Sequence, residues 1–561
     1  MRQTALSLLF LLLALGVAST VQPNGNPAVN EAASDHSPVA SSLPIPSHLD
    51  SRRVQDKSID YRASEIRAAI LIAGFAIFAW GNFFFSPLPP RLARLRLILL
   101  MAAATAAFAS YYQFFQFSHA RGFATTDNFH YYVGSKYFDE LGYFDLYQCS
   151  LVALAERGLQ LTNAEFDQAR DLRTMELRPY NSIKKNGQNC PEHFGAARWR
   201  AFGDDVAYFV QHRPEHLRRA TWLDHGYHPS PSWTLVGGWV AAMAPATNPK
   251  IAHRLARIDR VLVVMAFGLV AWAFGWETTC LVVLIWGTGC LWRYTWVGDA
   301  FLRHLWWISA VGGVAALRRG LPFIGGAALT FSALLRLFPG ALGLGYVLRA
   351  IQRSVSLREL NARYIRFAGG TAVALGGIGI LSLMTLAASA YPDFAKKIIE
   401  FSSMSITNQM GLQVITHWIF PENHWAAMGV RVPVLCIFLA LFWRALRNTE
   451  DWEAAALGAC LIPILTAPTN YYYSFFIPVA LLASRRPTIG LVLLGAATAW
   501  NLNGLAFYQD YDEYRWASAI AIATSFLILV EVTRDEARSR FAQENPVVSS
   551  TTLRSQEPMS G

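Results

Sequence analysis

The chain has 561 residues, of which 53% are hydrophobic and only 15% are charged, and its formal net charge is +10. A soluble domain usually carries about 25% charged residues. The long uncharged runs of this chain are too numerous to hide from water, which excludes an ordinary soluble enzyme. Its basic residues are scattered over many short connections, which excludes the contiguous basic face of a nucleic-acid-binding protein.

The N-terminal segment has two alternative interpretations. Residues 1–20 combine one early Arg, a short Leu-rich core and small residues at the end, as in a cleaved signal peptide or an uncleaved anchor. Both alternatives place residues 21–65 outside the membrane. This polar segment lacks apolar periodicity, so we expect a disordered outer tether whose charged end, at 51–67, can form an interfacial helix. We expect the polar tail at 534–561 to be disordered and cytoplasmic.

Apolar runs follow along the chain, for example at 68–85, 97–117, 261–274, 369–390, 432–446 and 489–505. Because ~20 mostly apolar residues cross the hydrocarbon core, with ~17 as a lower limit, we count about 12–14 transmembrane helices. The predicted fold is an all-α polytopic membrane protein. Its transmembrane domain covers residues 66–533 and includes one long outer loop at 118–230.

The basic residues predict the orientation, because Lys/Arg-rich short loops stay on the cytoplasmic side. We expect the following groups there: Arg91, Arg94 and Arg96; Lys250, Arg254, Arg257 and Arg260; Arg318 and Arg319; Arg349, Arg353, Arg358, Arg363 and Arg366; Arg444 and Arg447; Arg485 and Arg486. The outside segments are then 21–65, 118–230, 296–303, 391–431, 467–473 and 501–515. Between 261 and 317 the number of crossings is ambiguous, and a hairpin at Gly275-Trp276-Glu277 would restore the parity.

The outer loop begins with a segment of helical periodicity. Tyr131, Gly134, Phe138 and Leu141 share one face, and the opposite face carries Lys136, Asp139, Glu140 and Tyr143. This pattern predicts an amphipathic helix that lies flat on the membrane surface. Asp127 stands at its start. It can be an N-cap, which the positive helix end favours, or a general base at the lipid–water boundary, and the two roles are compatible.

This arrangement resembles the GT-C superfamily, the polyprenyl-phosphate-sugar-dependent membrane glycosyltransferases. The order of a transmembrane helix, an acidic residue just outside it and a surface helix in a long first outer loop is similar. The stretch 127–143 (DNFHYYVGSKYFDELGY) resembles the start of that loop in bacterial members, and Arg336-Leu337-Phe338-Pro339 resembles their basic-x-x-Pro element. The similar features span residues 95–345. The superfamily often has two adjacent acidic residues or Asp-x-Asp where this chain has Asp127-Asn128, which leaves metal dependence open.

The resemblance implies a multi-pass protein of the bacterial inner (plasma) membrane with its active site on the outer face. Its function would be to transfer a sugar from a polyprenyl-phosphate donor to a hydroxyl of a glycan, lipid or protein acceptor, with inversion. Asp127 is the candidate catalytic residue. The alternative is a transporter or flippase for a lipid-linked sugar or another amphiphile, and a purely structural or assembly role is a third hypothesis.

The leaving lipid phosphate needs cationic hydrogen-bond donors, and Arg offers a planar fork to phosphate. Arg303 and Arg336 are the candidates for binding it, with Arg293 as a weaker one, although an Arg near the bilayer can also be snorkelling. Further candidates for substrate binding are His130, Lys136, Asp224, His225, Tyr227, His228, Asn408 and Asn470. His225 and His228 can equally be turn residues. The run 471–473 we interpret as an interfacial Tyr belt, with stacking of its rings on a sugar as the alternative.

Two cysteines, Cys149 and Cys190, lie in the outer loop, and an oxidising outer compartment favours a disulfide between them. No zinc-binding spacing and no nucleotide-binding Gly loop is present. The sequence therefore identifies no specific cofactor, and it leaves open whether the protein uses a divalent metal.

Overall fold

The computed structural model describes residues 47–84, 88–115, 125–159, 168–211, 221–243, 245, 247, 249–403, 408–447, 449–507 and 511–544. In these residues the regular structure is helical, apart from one antiparallel pair of strands, β1 (Gln168–Arg170) and β2 (Leu177–Pro179). The predicted all-α class is confirmed. The segment 1–20, most of the tether and the end of the tail lie outside the described residues.

The α-helices are α1 (Ser47–Ala79), α2 (Pro90–Tyr111), α3 (Thr125–Asn128), α4 (Gly134–Lys136), α5 (Phe138–Leu141), α6 (Leu146–Glu156), α7 (Tyr180–Asn186), α8 (Ala196–Gln211), α9 (Pro231–Ala242), α10 (Pro249–Phe274), α11 (Trp276–Gly287), α12 (Tyr294–Val297), α13 (Leu305–Arg318), α14 (Pro322–Leu335), α15 (Gly340–Leu357), α16 (Ala362–Ala374), α17 (Leu381–Thr385), α18 (Ala390–Ser403), α19 (Leu412–Ile419), α20 (His424–Leu446), α21 (Asp451–Gly458), α22 (Ile462–Leu465), α23 (Ile477–Ala480), α24 (Pro487–Ala506) and α25 (Tyr511–Glu544). The π-helical segments are Trp80–Phe84, Phe129–Val133 and Leu375–Ile380, and the 3-10 segments are Gln113–Phe115, Cys190–His193, Ala459–Leu461, Asn470–Phe476 and Leu481–Ser484.

Six helical stretches of the described chain are long and apolar enough to cross a membrane: Arg62–Phe84, Pro90–Tyr111, Ala362–Thr385, His424–Leu446, Pro487–Ala506 and Tyr511–Arg534. Three shorter apolar helices, α11, α13 and α14, accompany them. The chain is thus a polytopic membrane protein, as predicted.

Basic residues gather at one end of the helix bundle, which we call the basic end. Glu450 pairs with Arg318 and Arg485, Asp451 with Arg363, and Glu453 with Arg486. Arg349 donates to the backbone oxygen of Arg447 at 2.7 Å. Connections that are far apart in the sequence therefore share one end, as the charge pattern predicts.

The outer-loop residues meet the bundle at its opposite end, which we call the loop end. Six stretches of the described chain meet the length criterion for a membrane span, so the expected number of 12–14 transmembrane helices stays a prediction. Other segments, such as 451–465 and 470–484, are broken into short α and 3-10 segments.

The ambiguous region between 261 and 317 contains the end of α10 followed by α11, α12 and most of α13. The expected turn at Gly275 separates α10 from α11 with a φ of 82°, a conformation that favours glycine. Arg96 pairs with Glu277 beside it. Arg260, however, does not lie with the other basic groups, although the charge pattern predicts that it does. The first half of α10 lies at the loop end, where Arg260 donates to Asp299 at 2.7 Å, so these residues do not join the basic end.

The predicted surface helix is also wrong, because segment 125–136 is enclosed between the outer loop and the bundle. Its residues 128–135 are all buried. Lys136 forms a buried ion pair with Asp205 at 2.7 Å, and the hydroxyl of Tyr143 donates to the Pro229 carbonyl at 2.8 Å. Polar residues on the face opposite Tyr131 thus contact protein, since α8 and residues 221–230 cover that face.

Helical structure extends into both polar flanks. Residues 47–65 are the first part of α1, which agrees with the helix expected at 51–67 and differs from the disordered tether expected before it. The helix α25 continues past 533 to Glu544. Hydrophobicity marks where a helix enters the membrane, but not where its polar extension stops.

Cys149 of α6 and Cys190 form a disulfide with their Cα atoms 5.4 Å apart, and both are buried. It ties α6 to the turn before α8, beside an aromatic cluster in which Tyr137 and Phe202 have ring centroids 5.1 Å apart. The outer loop therefore contributes buried residues to the hydrophobic core that it shares with the bundle.

We expect the Cys149→Ser/Cys190→Ser variant to lose about 2–4 kcal/mol of stability within the outer loop, because a native crosslink restricts the unfolded chain. Hydrogen exchange should rise in 146–210 and stay unchanged in α13 and α24. Cys436→Ala, at an exposed free thiol, is the control. Equal protection of the loop in both variants would contradict this expectation.

Lys397 of α18 forms a buried hydrogen bond with the outer loop. Its side chain is buried, and Nζ donates to the Leu172 carbonyl at 3.3 Å. Burial lowers the pKa of Lys397 to about 7, opposed by Glu400, with Arg170 lowering and Asp171 raising it. The folded protein thus releases a proton that the unfolded chain keeps up to its ordinary pKa of ~10.4.

Stability should therefore rise as the pH increases above about 7, because the unfolded state binds more protons there. Lys397→Met removes this component, so its unfolding temperature should exceed that of the wild type most at pH 6 and least at pH 9. The neighbouring Lys396→Met, at a side chain 58% exposed, should show no such trend. A constant difference between pH 6 and 9 would refute the assignment.

Candidate functional site

Four segments meet at the loop end: 125–136, 299–304, 335–339 and 469–473. Two arginines, Arg303 and Arg336, come from separate connections and converge on Tyr131. The Tyr131 hydroxyl accepts a hydrogen bond from Arg303 Nη1 at 2.6 Å and from Arg336 Nη2 at 3.3 Å. The sequence analysis named both arginines, and the fold brings them together.

Aromatic rings surround these two charges. The guanidinium carbon of Arg303 lies 4.3 Å from the Tyr471 ring centroid, and that of Arg336 lies 5.6 Å from the Tyr472 centroid. Both also lie over the Tyr131 ring, at 5.1 and 5.5 Å. Ring faces offer partial compensation for a desolvated cation. The interpretation of 471–473 as an interfacial belt is wrong, since Tyr472 and Tyr473 are buried.

Neither arginine forms an ion pair with a carboxylate among the residues that the structure describes. Arg303 is 5% exposed and Arg336 is 9% exposed, and in the described part of the chain neither forms an ion pair within 4.0 Å. Their Nε atoms have no hydrogen-bond partner among the described residues. Two buried cations with unused donors form a site for an anion, and the planar guanidinium fork matches phosphate or carboxylate.

A strained turn presents Arg303 to this site. Asp299 and Leu302 have φ values of 52° and 51°, which are unusual for residues other than glycine. Arg260 and the Tyr294 hydroxyl donate to the Asp299 carboxylate. The Asp259 carboxylate accepts from the His304 backbone N–H at 2.7 Å and also pairs with its ring. These buried contacts hold the turn in place.

Asp127 lies in the same place. It is the third residue of α3, within the first turn, and it is half-buried. Its Oδ2 is buried and has no hydrogen-bond partner in the described residues. The carboxylate is close enough to interact electrostatically with Arg303. The next residue, Asn128, donates to the Asp299 carbonyl at 3.1 Å and so links α3 to the turn that carries Arg303.

A cavity of about 330 Å³ adjoins Arg336. Its walls include His228, Phe394, Thr469 and Tyr472, and its volume falls within the range of small-molecule sites. His228 Nδ1 lies 3.1 Å from the Gly226 carbonyl, which can only accept, so Nδ1 carries the proton and Nε2 is an acceptor. Burial and the adjacent Arg336 lower the pKa of His228 to about 3, so the ring is neutral at physiological pH.

Other predicted residues lie elsewhere. Asp224 Oδ2 lies 3.5 Å from His130 Nδ1, and its Oδ1 lies 3.5 Å from His225 Nδ1. This cluster extends to Tyr147, whose hydroxyl is 2.8 Å from His130 Nε2. It belongs to the outer-loop core, and none of these residues lines the cavity.

Five more candidates have structural contacts that account for them. Lys136 pairs with Asp205, and the Tyr227 hydroxyl lies 2.8 Å from that of Thr234. Asn408 Nδ2 donates to Asn470 Oδ1 at 3.1 Å, and Asn470 Nδ2 donates to the Leu291 carbonyl at 2.9 Å. Arg293 forms a buried ion pair with Glu513 at 3.0 Å. We therefore omit them from the site. In the described residues no group of three or more His, Cys, Asp or Glu is arranged to hold a metal ion.

The sequence analysis missed Tyr131, Tyr471 and Tyr472. Tyr131 stood on the apolar face of the predicted helix, four residues after Asp127, which is one helical turn. That spacing from the candidate base was the available signal. For Tyr471 and Tyr472 no such signal exists, because only the fold places them on the two arginines.

We expect Tyr131→Phe to weaken binding of an anionic amphiphile about tenfold, since hydrogen bonds to charged groups contribute ~1.5–3 kcal/mol. The substitution keeps the ring that stacks on both arginines and removes the oxygen that holds them. Binding of decyl phosphate to the purified protein measures it. Tyr346→Phe removes another buried phenol oxygen, away from this site, and is the control. Equal affinity of both variants would rule out this role.

Comparison of the chain with protein-family models, curated proteins and solved structures finds no match. The resemblance to the GT-C superfamily stays an expectation from the sequence. The assignment of a function therefore depends on the chemistry of Asp127, Arg303, Arg336 and the adjoining cavity.

Proposed function

We propose that the protein is a membrane glycosyltransferase of the GT-C type, which moves a sugar from a polyprenyl-phosphate donor to an acceptor hydroxyl. The observation that carries this proposal is the pair of buried arginines that form no ion pair with the described residues, beside Asp127 and the cavity. A phosphate leaving group develops negative charge, and preorganised cationic donors stabilise it. A carboxylate within the same site supplies a base.

In the reaction, the acceptor hydroxyl loses its proton to Asp127 as its oxygen attacks the anomeric carbon. The bond between that carbon and the phosphate oxygen breaks, and its electron pair leaves with the lipid phosphate. Arg303 and Arg336 bind this phosphate. The Tyr131 hydroxyl accepts a hydrogen bond from each arginine and so fixes the relative positions of the two guanidinium groups. A single displacement inverts the configuration at the anomeric carbon.

The depth of the site supports a lipid-borne donor. Arg336 follows directly after α14, and Leu337 and Leu465 at the cavity are 60% and 45% exposed on an apolar surface. An isoprenoid chain can thus stay in the bilayer while its phosphate reaches Arg336. The positive-inside rule supports placing the basic end in the cytoplasm and this site on the outer face, where lipid-linked sugars serve as donors.

Asp127→Asn should lower turnover by about 10²–10⁴, the usual contribution of a general base, while donor binding is kept. Arg303→Ala should weaken both donor binding and turnover, because phosphate is contacted in the ground and transition states. The measurement is release of polyprenyl phosphate, the product common to all acceptors, from a labelled polyprenyl-phosphate hexose in proteoliposomes containing cell-envelope extract.

Asp139→Asn and Arg318→Ala are matched controls. Asp139 is an exposed carboxylate of the same outer loop, and Arg318 lies at the basic end. Nearly full activity of Asp127→Asn would leave Asp127 as a structural residue of α3. Donor that crosses the bilayer with its sugar–phosphate bond intact would favour the transporter hypothesis over the enzyme.

A further inference from the structure

The charge of the site changes during the proposed reaction. Its charged groups at the start are Arg303, Arg336 and the carboxylate of Asp127. Burial raises the pKa of Tyr131 and so keeps its phenol neutral, and the ring of His228 at the cavity is neutral as well. The two arginines and Asp127 together carry one positive charge while the carboxylate is ionised. They carry two positive charges once the carboxylate has accepted a proton.

The neighbouring charged groups take no part in this change. Asp299 forms an ion pair with Arg260, and Asp259 accepts from the His304 backbone N–H and pairs with its ring. Both carboxylates are buried. Because these partners hold them, the field that they exert on the site is the same before and after the reaction. The proton on Asp127 is therefore the change that the bound phosphate experiences.

The charge of the lipid phosphate changes by the same amount with the opposite sign. The donor is a phosphate diester, which carries one negative charge at neutral pH. Breaking its bond to the anomeric carbon leaves a monoester, which carries nearly two negative charges, because its second pKa is about 6. The acceptor proton passes to Asp127 in the same step, so atoms and charges balance. The charges of site and ligand thus match before the reaction and again after it.

Asp127 is placed to act on the phosphate-binding groups. Its Oδ2 is buried without a hydrogen-bond partner among the described residues, and the carboxylate is close enough to interact electrostatically with Arg303. Arg303 and Arg336 both donate to the Tyr131 hydroxyl. Charges in a buried site are screened much less than charges at the surface. Gain or loss of one charge at Asp127 therefore changes the potential at a phosphate that these arginines bind.

We propose that the protonation state of Asp127 selects which lipid phosphate the site binds. The neutral acid, formed in the same step as the product, holds the doubly charged monoester. Loss of the proton to water restores the carboxylate, which repels the monoester and releases it, and the site is then ready for the singly charged diester. The inference rests on the proposed function and adds the control of product release at the same site.

Two probes with the same alkyl chain test this selection: decyl phosphate, a monoester, and methyl decyl phosphate, a diester. Affinities for the purified full-length protein are measured at pH 8, where the monoester carries two negative charges and the diester carries one. Asp127→Asn replaces the carboxylate by a neutral amide of nearly the same shape. Because the Coulomb energy is proportional to the charge of the ligand, we expect a gain in affinity of about threefold for the diester and about tenfold, its square, for the monoester.

Asp139→Asn is the matched control, because Asp139 is an exposed carboxylate of the same outer loop. It should leave both affinities unchanged. Asp127→Ser removes the same charge with a different side chain and should reproduce the unequal gains. Equal gains for the two probes, or no gain for either in both Asp127 variants, would overturn the inference and leave the glycosyltransferase proposal standing.

One outcome separates the inference from the function on which it rests. If the wild type and all variants bind neither probe, the phosphate site of the proposed function fails together with the inference. Unfolding temperatures of the variants within about 3 °C of the wild type establish that all are folded. A change in affinity then reports the charge at Asp127 and not a loss of structure.

Discussion

Two arginines buried together, neither of which forms an ion pair in the described part of the chain, are the constraint on which the rest of this site depends. Removing a charge from water costs several kcal/mol when no partner compensates it, and here two like charges share one phenol oxygen. The rings of Tyr131, Tyr471 and Tyr472 offset part of that penalty through their π faces. The part of the desolvation penalty that is not offset favours the binding of an anion, which is the property that a phosphate-binding site needs.

Two other carboxylates at this end of the bundle, those of Asp299 and Asp259, already have hydrogen-bond partners. Asp299 accepts from Arg260 and Tyr294, and Asp259 accepts from His304. Each therefore stabilises the turn that carries Arg303 without neutralising Arg303 itself. Asn128 joins α3 to the same turn, so Asp127 and Arg303 have a common support. A change in that support would move both.

The basic end of the bundle has ion pairs that are more exposed to solvent than the polar contacts at the loop end. Its ion pairs between Arg318, Arg485 and Glu450 are half-exposed, and such pairs usually contribute less than about 1 kcal/mol each. They mark an orientation more than they stabilise the fold. At the loop end the polar contacts are buried, and they fix the position of the turn that carries Arg303. The contrast fits a protein with one chemically active face.

The sequence by itself determined the membrane class, the grouping of most basic connections and the pairing of Cys149 with Cys190, because hydropathy, charge and compartment act locally. It also singled out Asp127, Arg303 and Arg336, since ionisable residues next to apolar runs are conspicuous. Only the tertiary structure decided that segment 125–136 is enclosed and that Arg260 belongs to the loop end. It likewise decided that the rings of Tyr131, Tyr471 and Tyr472 surround the two arginines. These results depend on contacts between segments as far as 341 residues apart, from Tyr131 to Tyr472, and no local pattern encodes which segments will meet.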